Sequence, residues 1–233
     1  MQPFSPKANA IGFAVATFLS WRGLKKKGLT RSGAATAFCV GGILVCTGMR
    51  GFNLLVFYLL GTKATKFKKE IKQKIDGSLV LSGSMARGPS QVLACSLLAV
   101  ILSLVHGTYC GEEKPIDFGA FSMPSKLTCG VVAHHATCLA DTLASELGIL
   151  AKRSPVLVTQ PWKQVPPGTN GATIQRSLYD PDSKLAYQSN DDVKSATKVV
   201  SGINILTNEQ VNLVSVAATT FIGGWVLGPL FFP

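Results

Sequence analysis

Before Glu70 the chain has no acidic residue, and its basic side chains gather in short clusters between long apolar runs. This arrangement constrains the fold most, because basic residues in short loops between apolar spans mark the cytosolic side of a membrane protein. The chain is 47% hydrophobic and 15% charged, with a mean hydropathy of +0.31. It is too apolar for an ordinary soluble domain, and 233 residues are too many for a single anchor. The pattern predicts an all-α, multi-pass transmembrane bundle of about six helices, with membrane lipid as its surroundings. The net charge of +11, from 23 basic and 12 acidic residues, then sets topology. No aromatic-interleaved basic motif argues for nucleic-acid binding.

Residues 8–21 form a first apolar run whose basic cluster follows it, the wrong order for a cleaved signal peptide, so it is expected to remain as a span. Arg22, Lys25, Lys26, Lys27 and Arg31 make the first basic loop, and Ser32 is the expected N-cap of the next helix. In the apolar run 33–61, Gly48, Arg50 and Gly51 predict a turn between two short helices. That hairpin returns a second basic loop, with Lys63, Lys66, Lys68, Lys69, Lys72, Lys74 and Arg87, to the side of the first. Within it, 66–75 is expected to be an amphipathic surface helix with Phe67, Ile71 and Ile75 on one stripe. A span over 91–109 precedes Glu112, Glu113, Lys114 and Asp117, an acidic-leaning loop expected on the opposite face. The chain returns through 127–150 and emerges at Lys152 and Arg153. Pro155, Pro161, Pro166 and Pro167 then forbid regular helix, and the Gly-rich turn at Gly168, Thr169, Asn170 and Gly171 can offer amides to an anion. The expected division is a polytopic membrane domain at 1–175 with a motif helix at 127–150, a polar loop or insert at 176–208, and a C-terminal span at 209–233. The six cysteines lack zinc-site spacing and read as small buried hydrophobes.

The segment 134–148, HHATCLADTLASELG, sets two carboxylates and several hydroxyls into a stretch that otherwise reads as membrane-buried helix. A charge at membrane depth costs roughly 2.5–3.5 kcal/mol on insertion scales, so Asp141 and Glu146 need paired, interior or ligand-bound surroundings. Helical spacing puts Thr137, Asp141, Ser145 and Gly148 on one stripe and His135, Thr142 and Glu146 on the next, merging into one polar face. Ala140, Ala144 and Gly148, at spacing four, would let a neighbouring helix approach closely. One reading of this face is a packing seam whose hydroxyls bond to backbone. The other is a metal and phosphate site, since magnesium takes one or two carboxylates and fills its remaining positions with water and phosphate oxygens. His134 and His135 read as packing residues rather than catalysts.

ADTLASELG at 140–148, PVLVT at 155–159 and PGTNGAT at 167–173 resemble motifs of the integral membrane family that contains transmembrane protein 19 and plant phytyl-phosphate kinase. GTKATKFKKEIKQKID at 61–76 and ARGPSQVLA at 86–94 are similar to its earlier motifs, so the resemblance covers about residues 8–175. The chain departs from that pattern at Cys95 and Ser96, where the family has Asn and Gly, and at Leu143, where it has Trp. After Thr173 the family continues into glycine-rich membrane helices, whereas 175–208 is polar here, so the chain reads as a shortened version. More distantly, the acidic motif resembles dolichol kinases and phosphatidate cytidylyltransferases, which use CTP. The resemblance implies a kinase that moves a phosphoryl group from CTP or another nucleoside triphosphate to an isoprenoid monophosphate, at the cytosolic-side face of an endomembrane or plastid membrane. On that basis Asp141 and Glu146 would hold Mg, with Thr142 and Ser145 completing the catalytic set. Lys63, Lys66 and Arg87 would contact phosphates, Gln91 would orient a phosphate oxygen, and Thr159, Gly168, Thr169, Asn170 and Gly171 would line the nucleotide. The alternative is a non-catalytic multi-pass protein, a transporter or scaffold, in which the polar face lines a path.

Overall fold

Ser5 opens α1 (Pro6–Lys25): its hydroxyl accepts a hydrogen bond from the Ala8 amide at 3.2 Å, and Pro6 sits where a missing N–H is harmless. Thr30, not Ser32, caps α2 (Arg31–Cys46), accepting from the Gly33 amide at 2.9 Å. Its hydroxyl stands three residues before that orphan amide, whereas Ser32 is already inside the first turn. The computed structural model describes residues 2–77, 86–151, 153–157, 160–169, 176–188, 197–203 and 205–232. After α2 the chain breaks where the glycines lie, with Gly48 at φ +131°, and resumes as α3 (Gly51–Lys66). The helices α4 (Lys69–Gln73), α5 (Pro89–Ala94) and α6 (Leu97–Val105) follow, the last continuing into a π-helical turn at His106–Cys110. Then come α7 (Ser122–Gly148) and α8 (Asn208–Phe221), which runs through a π-helical turn at Ile222–Leu227 into α9 (Gly228–Phe231).

The chain divides into two compact units, one of Met1–Gly61, Ala86–Ala140 and Asn212–Pro233, the other of Thr62–Met85 and Asp141–Val211. In the first unit, α1 buries Ala8, Gly12, Ala16, Ser20 and Gly23, a small residue at nearly every turn. A Cβ at Gly12 would stand 2.6 Å from the Cys46 sulfur, so the two backbones approach as closely as glycine allows. The same device joins α7 to the C-terminal helix, where Gly223 faces Ala133 and Gly224 faces Gly130 and the Lys126 carbonyl. Val40, Leu44, Ala99, Val100 and Val131 form the core, and Phe57, Cys138 and Val216 form a smaller cluster. Large apolar side chains point outward instead, with Phe13 63% and Val214 57% exposed. Small residues inside and large apolar ones outside suit helices packed in lipid, where burying apolar area gains nothing and close backbone packing holds the bundle.

Among the described residues, Glu209–Phe231 is the helix long and apolar enough to cross a membrane, while Arg31–Cys46 and Leu97–Cys110 are shorter apolar helices. The span expected at 91–109 is broken at Cys95 and Ser96. The Cys95 carbonyl exposed by the break lies 2.9 Å from His134 Nε2 and accepts from Cys138 Sγ at 3.6 Å, so both side chains compensate for the lost helical bonds. Cys39 is exposed, against the expectation that the cysteines are buried.

The second unit corrects the all-α expectation to mostly helical. Here β1 (Val156–Leu157) pairs antiparallel with β2 (Gln160–Gln164), and β3 (Ser177–Asp180), β4 (Leu185–Gln188) and β5 (Lys198–Ser201) form an antiparallel sheet in the order β4–β3–β5. The polar stretch expected to be loop thus contains a hairpin. Asp180 makes its turn, its carboxylate accepting from the Asp182 amide at 3.0 Å and the Ser183 hydroxyl at 2.7 Å, with Lys184 at φ +58°. Leu178 stands opposite Tyr187, and Tyr179 opposite Ala186, cross-strand partners suited to a half-buried sheet.

Candidate functional site

The polar face of α7 changes character along its length. At Thr137 it is a packing seam: the hydroxyl oxygen lies 2.9 Å from both the Ala133 carbonyl and Thr219 Oγ1, so its single proton serves the backbone or the neighbouring helix. His135 Nδ1 lies 3.1 Å from the Val131 carbonyl, and its ring meets the His134 ring edge to face at 5.2 Å, so both histidines pack as the sequence suggests. The small residues expected to form the seam, Ala140, Ala144 and Gly148, are exposed, and the close approach is made earlier, at Gly130 and Ala133.

Beyond Ala140 the helix belongs to the second unit. Asp141 is exposed there, in no hydrogen bond or ion pair through its carboxylate among the described residues, and the Ser145 hydroxyl donates to its backbone carbonyl at 2.9 Å. Five positions separate Asp141 from Glu146, which on a regular helix points them about 140° apart around the axis. Glu146 is ion-paired with Lys72, and Lys72 Nζ also donates to the Ala64 carbonyl at 3.0 Å and the Thr65 carbonyl at 2.8 Å. Lys72 is 1% exposed. Among the described residues no three His, Cys, Asp or Glu side chains cluster as a metal site. A cation there would draw on Asp141, with Glu146 already carrying a positive partner.

The remaining candidates fall in two places. Lys63 and Lys66 are exposed on the last turn of α3, in the second unit with Asp141, Thr142, Ser145 and Glu146. The same unit holds Gly168, at φ +88° and packed near Ile75 and Ala186, and Thr169, whose amide and hydroxyl both donate to the Pro166 carbonyl, at 3.3 and 2.7 Å. That Thr169 amide is therefore committed within its own turn. Arg87 and Gln91 lie in the first unit. There the Arg87 amide donates to the Gly28 carbonyl at 3.0 Å, and its carbonyl accepts from the Thr30 amide at 3.1 Å, while Gln91 is exposed on α5. Thr159, Asn170, Gly171 and Lys152 lie outside the described residues. The surface helix expected at 66–75 is reduced to the five residues of α4, because Lys68 takes a left-handed conformation at φ +48° and interrupts the run.

Lys72 is the residue that sequence reasoning missed. An acid in an apolar helix needs a counter-charge, but nothing in the lysine-rich loop marks which ammonium supplies it. Lys72 follows Ile71 and reads as one more solvated base.

Comparison with known proteins places these features in a family context. The family described as integral membrane protein DUF92 matches residues 14–173. Protein PGR of Arabidopsis thaliana is 35% identical over 178 residues, covering 75% of this chain and 60% of that protein. Protein VTE6, chloroplastic, from the same plant is 30% identical over 166 residues, covering 70% of this chain and 46% of its own length. An uncharacterized membrane protein of Synechocystis is 32% identical over 149 residues, covering 63% and 53%. The chain thus spans about half to three fifths of the length of these relatives. No solved structure matches.

Proposed function

The chain belongs to the integral membrane protein family DUF92, and on that premise we propose that it is a multi-pass membrane kinase transferring a phosphoryl group from CTP or another nucleoside triphosphate to an isoprenoid monophosphate. The resemblance of its motifs to those of plant phytyl-phosphate kinase supports the reaction class. The observation that carries the reading is the exposed carboxylate of Asp141 in one compact unit with Lys63, Lys66 and the Gly168 turn. An acid for a cation, bases for phosphates and a turn for a nucleotide are the parts phosphoryl transfer requires, because its catalysis is mostly positioning and charge neutralisation.

In the proposed reaction an oxygen of the lipid monophosphate attacks the γ-phosphorus of the nucleotide. The bond to the β,γ-bridging oxygen breaks, and a lipid diphosphate and a nucleoside diphosphate leave. The nucleophile is already anionic, so no general base is needed. Bound Mg would supply charge neutralisation on the phosphate oxygens. Asp141 would hold it, Ser145 and Thr142 would flank it, and Lys63 and Lys66 would attract the phosphates. Arg87, Gln91, Thr159, Asn170 and Gly171 remain proposed contacts on the strength of the motifs. A non-catalytic role as scaffold or transporter is favoured by one observation, that Glu146 is closed off by Lys72. Purified protein in detergent, given labelled nucleoside triphosphates and a panel of polyprenyl monophosphates, separates the two. Magnesium-dependent label in a lipid diphosphate is expected, and its absence across the panel favours the scaffold or transporter.

A further inference from the structure

Three oxygens converge on Lys72 Nζ: the Ala64 carbonyl at 3.0 Å, the Thr65 carbonyl at 2.8 Å, and Oε2 of Glu146. An ammonium has three protons, and each has one of these acceptors, so none remains for a phosphate. Both carbonyls belong to the last turn of α3, at the negative end of the helix dipole, and that of Ala64 also accepts from the Phe67 amide at 3.1 Å. Two backbone carbonyls and a carboxylate oxygen around one point are the donor types a hard cation takes. Here the chain's own ammonium fills the place.

We propose that Lys72 is the resident cation of a closed oxygen site, and that Glu146 is a positioning residue rather than a metal ligand. The pair pins the polar end of α7 to the last turn of α3 and leaves Asp141 as the carboxylate of the motif that a divalent ion reaches. A second cation at Glu146 would either face the Lys72 charge or expel it, leaving a buried ammonium unpaired, which costs more than the exchange returns. The role given to Asp141 rests on the kinase reading, whereas the Lys72 clamp does not.

The test uses the full chain in detergent as wild type, Lys72→Met, Glu146→Gln, the double variant and Asp141→Asn. Melting temperature and binding of Mn2+, followed by electron paramagnetic resonance of the free ion, are measured for each. Either single change at the pair is expected to lower the melting temperature by leaving buried partners unmatched, and the double variant to recover about half of the summed loss or more. Glu146→Gln should alter Mn2+ affinity less than about twofold and Asp141→Asn weaken it more than about tenfold. If Lys72→Met does not fold, Glu146→Gln against the double variant carries the comparison. Additive melting losses, or a tenfold loss of Mn2+ affinity in Glu146→Gln, overturn the proposal. A wild type that binds no Mn2+ removes the kinase reading, and the melting comparison alone then decides the clamp.

Discussion

Asp141 and Glu146 belong to one motif yet face different physics. Glu146 is matched by a buried ammonium, while Asp141 stands exposed with its charge unspent. A group whose only work is to hold a cation should be insensitive to size and sensitive to charge. Asp141→Asn keeps the shape and removes the charge, so transfer is expected to fall by about 100-fold or more, since metal neutralisation is worth several kcal/mol of transition-state stabilisation. Stability should change by less than about 0.5 kcal/mol, as for other exposed positions. Rates measured beside melting curves at several magnesium concentrations check it, and wild-type turnover in this variant would remove Asp141 from the site. Lys63→Met and Lys66→Met, on exposed lysines, should raise KM for the phosphorylated substrates by several-fold, about 1 kcal/mol for each lost charge contact. An unchanged KM would return both to ordinary solvated bases.

Elements were legible in proportion to how local their causes are. The break between α2 and α3 could be read from Gly48 and Gly51, because a residue at φ +131° is a requirement of the turn itself. The break at Cys95 could not, because it is stabilised from outside by His134 and Cys138, some forty positions along the chain. Likewise the hairpin of β3 and β4 hid in a polar stretch: four-residue strands leave little alternation to see, and Asp180, Pro181 and Asp182 look like loop until Leu178 and Tyr187 pair. The seam on α7 was recognised in kind but misplaced, because small residues recur along that helix and only the partner's Gly223 and Gly224 choose Gly130 and Ala133. Gly223→Leu tests that choice. Its new Cβ would stand 2.4 Å from Ala133 Cβ, so the helices must part, at a cost of about 1–3 kcal/mol by the general penalty for overpacking. A substantial drop in melting temperature is expected, and Ala144→Leu on the exposed stretch should cause little. Equal effects would mean the seam extends along the whole helix.

For the whole molecule, the charge asymmetry of the loops makes a topological demand that hydrogen bonds within the first unit already favour. Gly28 and Thr30, beside the first basic cluster, are bonded to Arg87 at the end of the second, which brings parts of both basic loops together. At the far end of α2, whose sixteen residues rise about 24 Å at helical pitch, Arg50 is 4% exposed and pairs with Glu113 at 3.5 Å. The first basic loop with Arg87, and the acidic-leaning loop, therefore lie at opposite ends of the same helix. A bilayer should turn those ends into opposite faces, with the bases on the cytosolic side. Single cysteines at Lys26, Lys69 and Glu113, in a chain whose native cysteines are replaced, are expected to label with one pattern at 26 and 69 and the reverse at 113 when a membrane-impermeant thiol reagent is added to sealed vesicles. Labelling of 26 and 69 from different sides would break the hairpin. Labelling of all three from one side would mean that α2 does not cross. Arg50 supplies an independent check, since Glu113→Gln leaves a buried guanidinium without its carboxylate and should cost about 3 kcal/mol, the lower end for a buried pair because Glu113 is partly exposed. A far smaller loss would mean that water reaches Arg50, and that the far end of α2 is open to solvent rather than closed by the loop that carries Glu113.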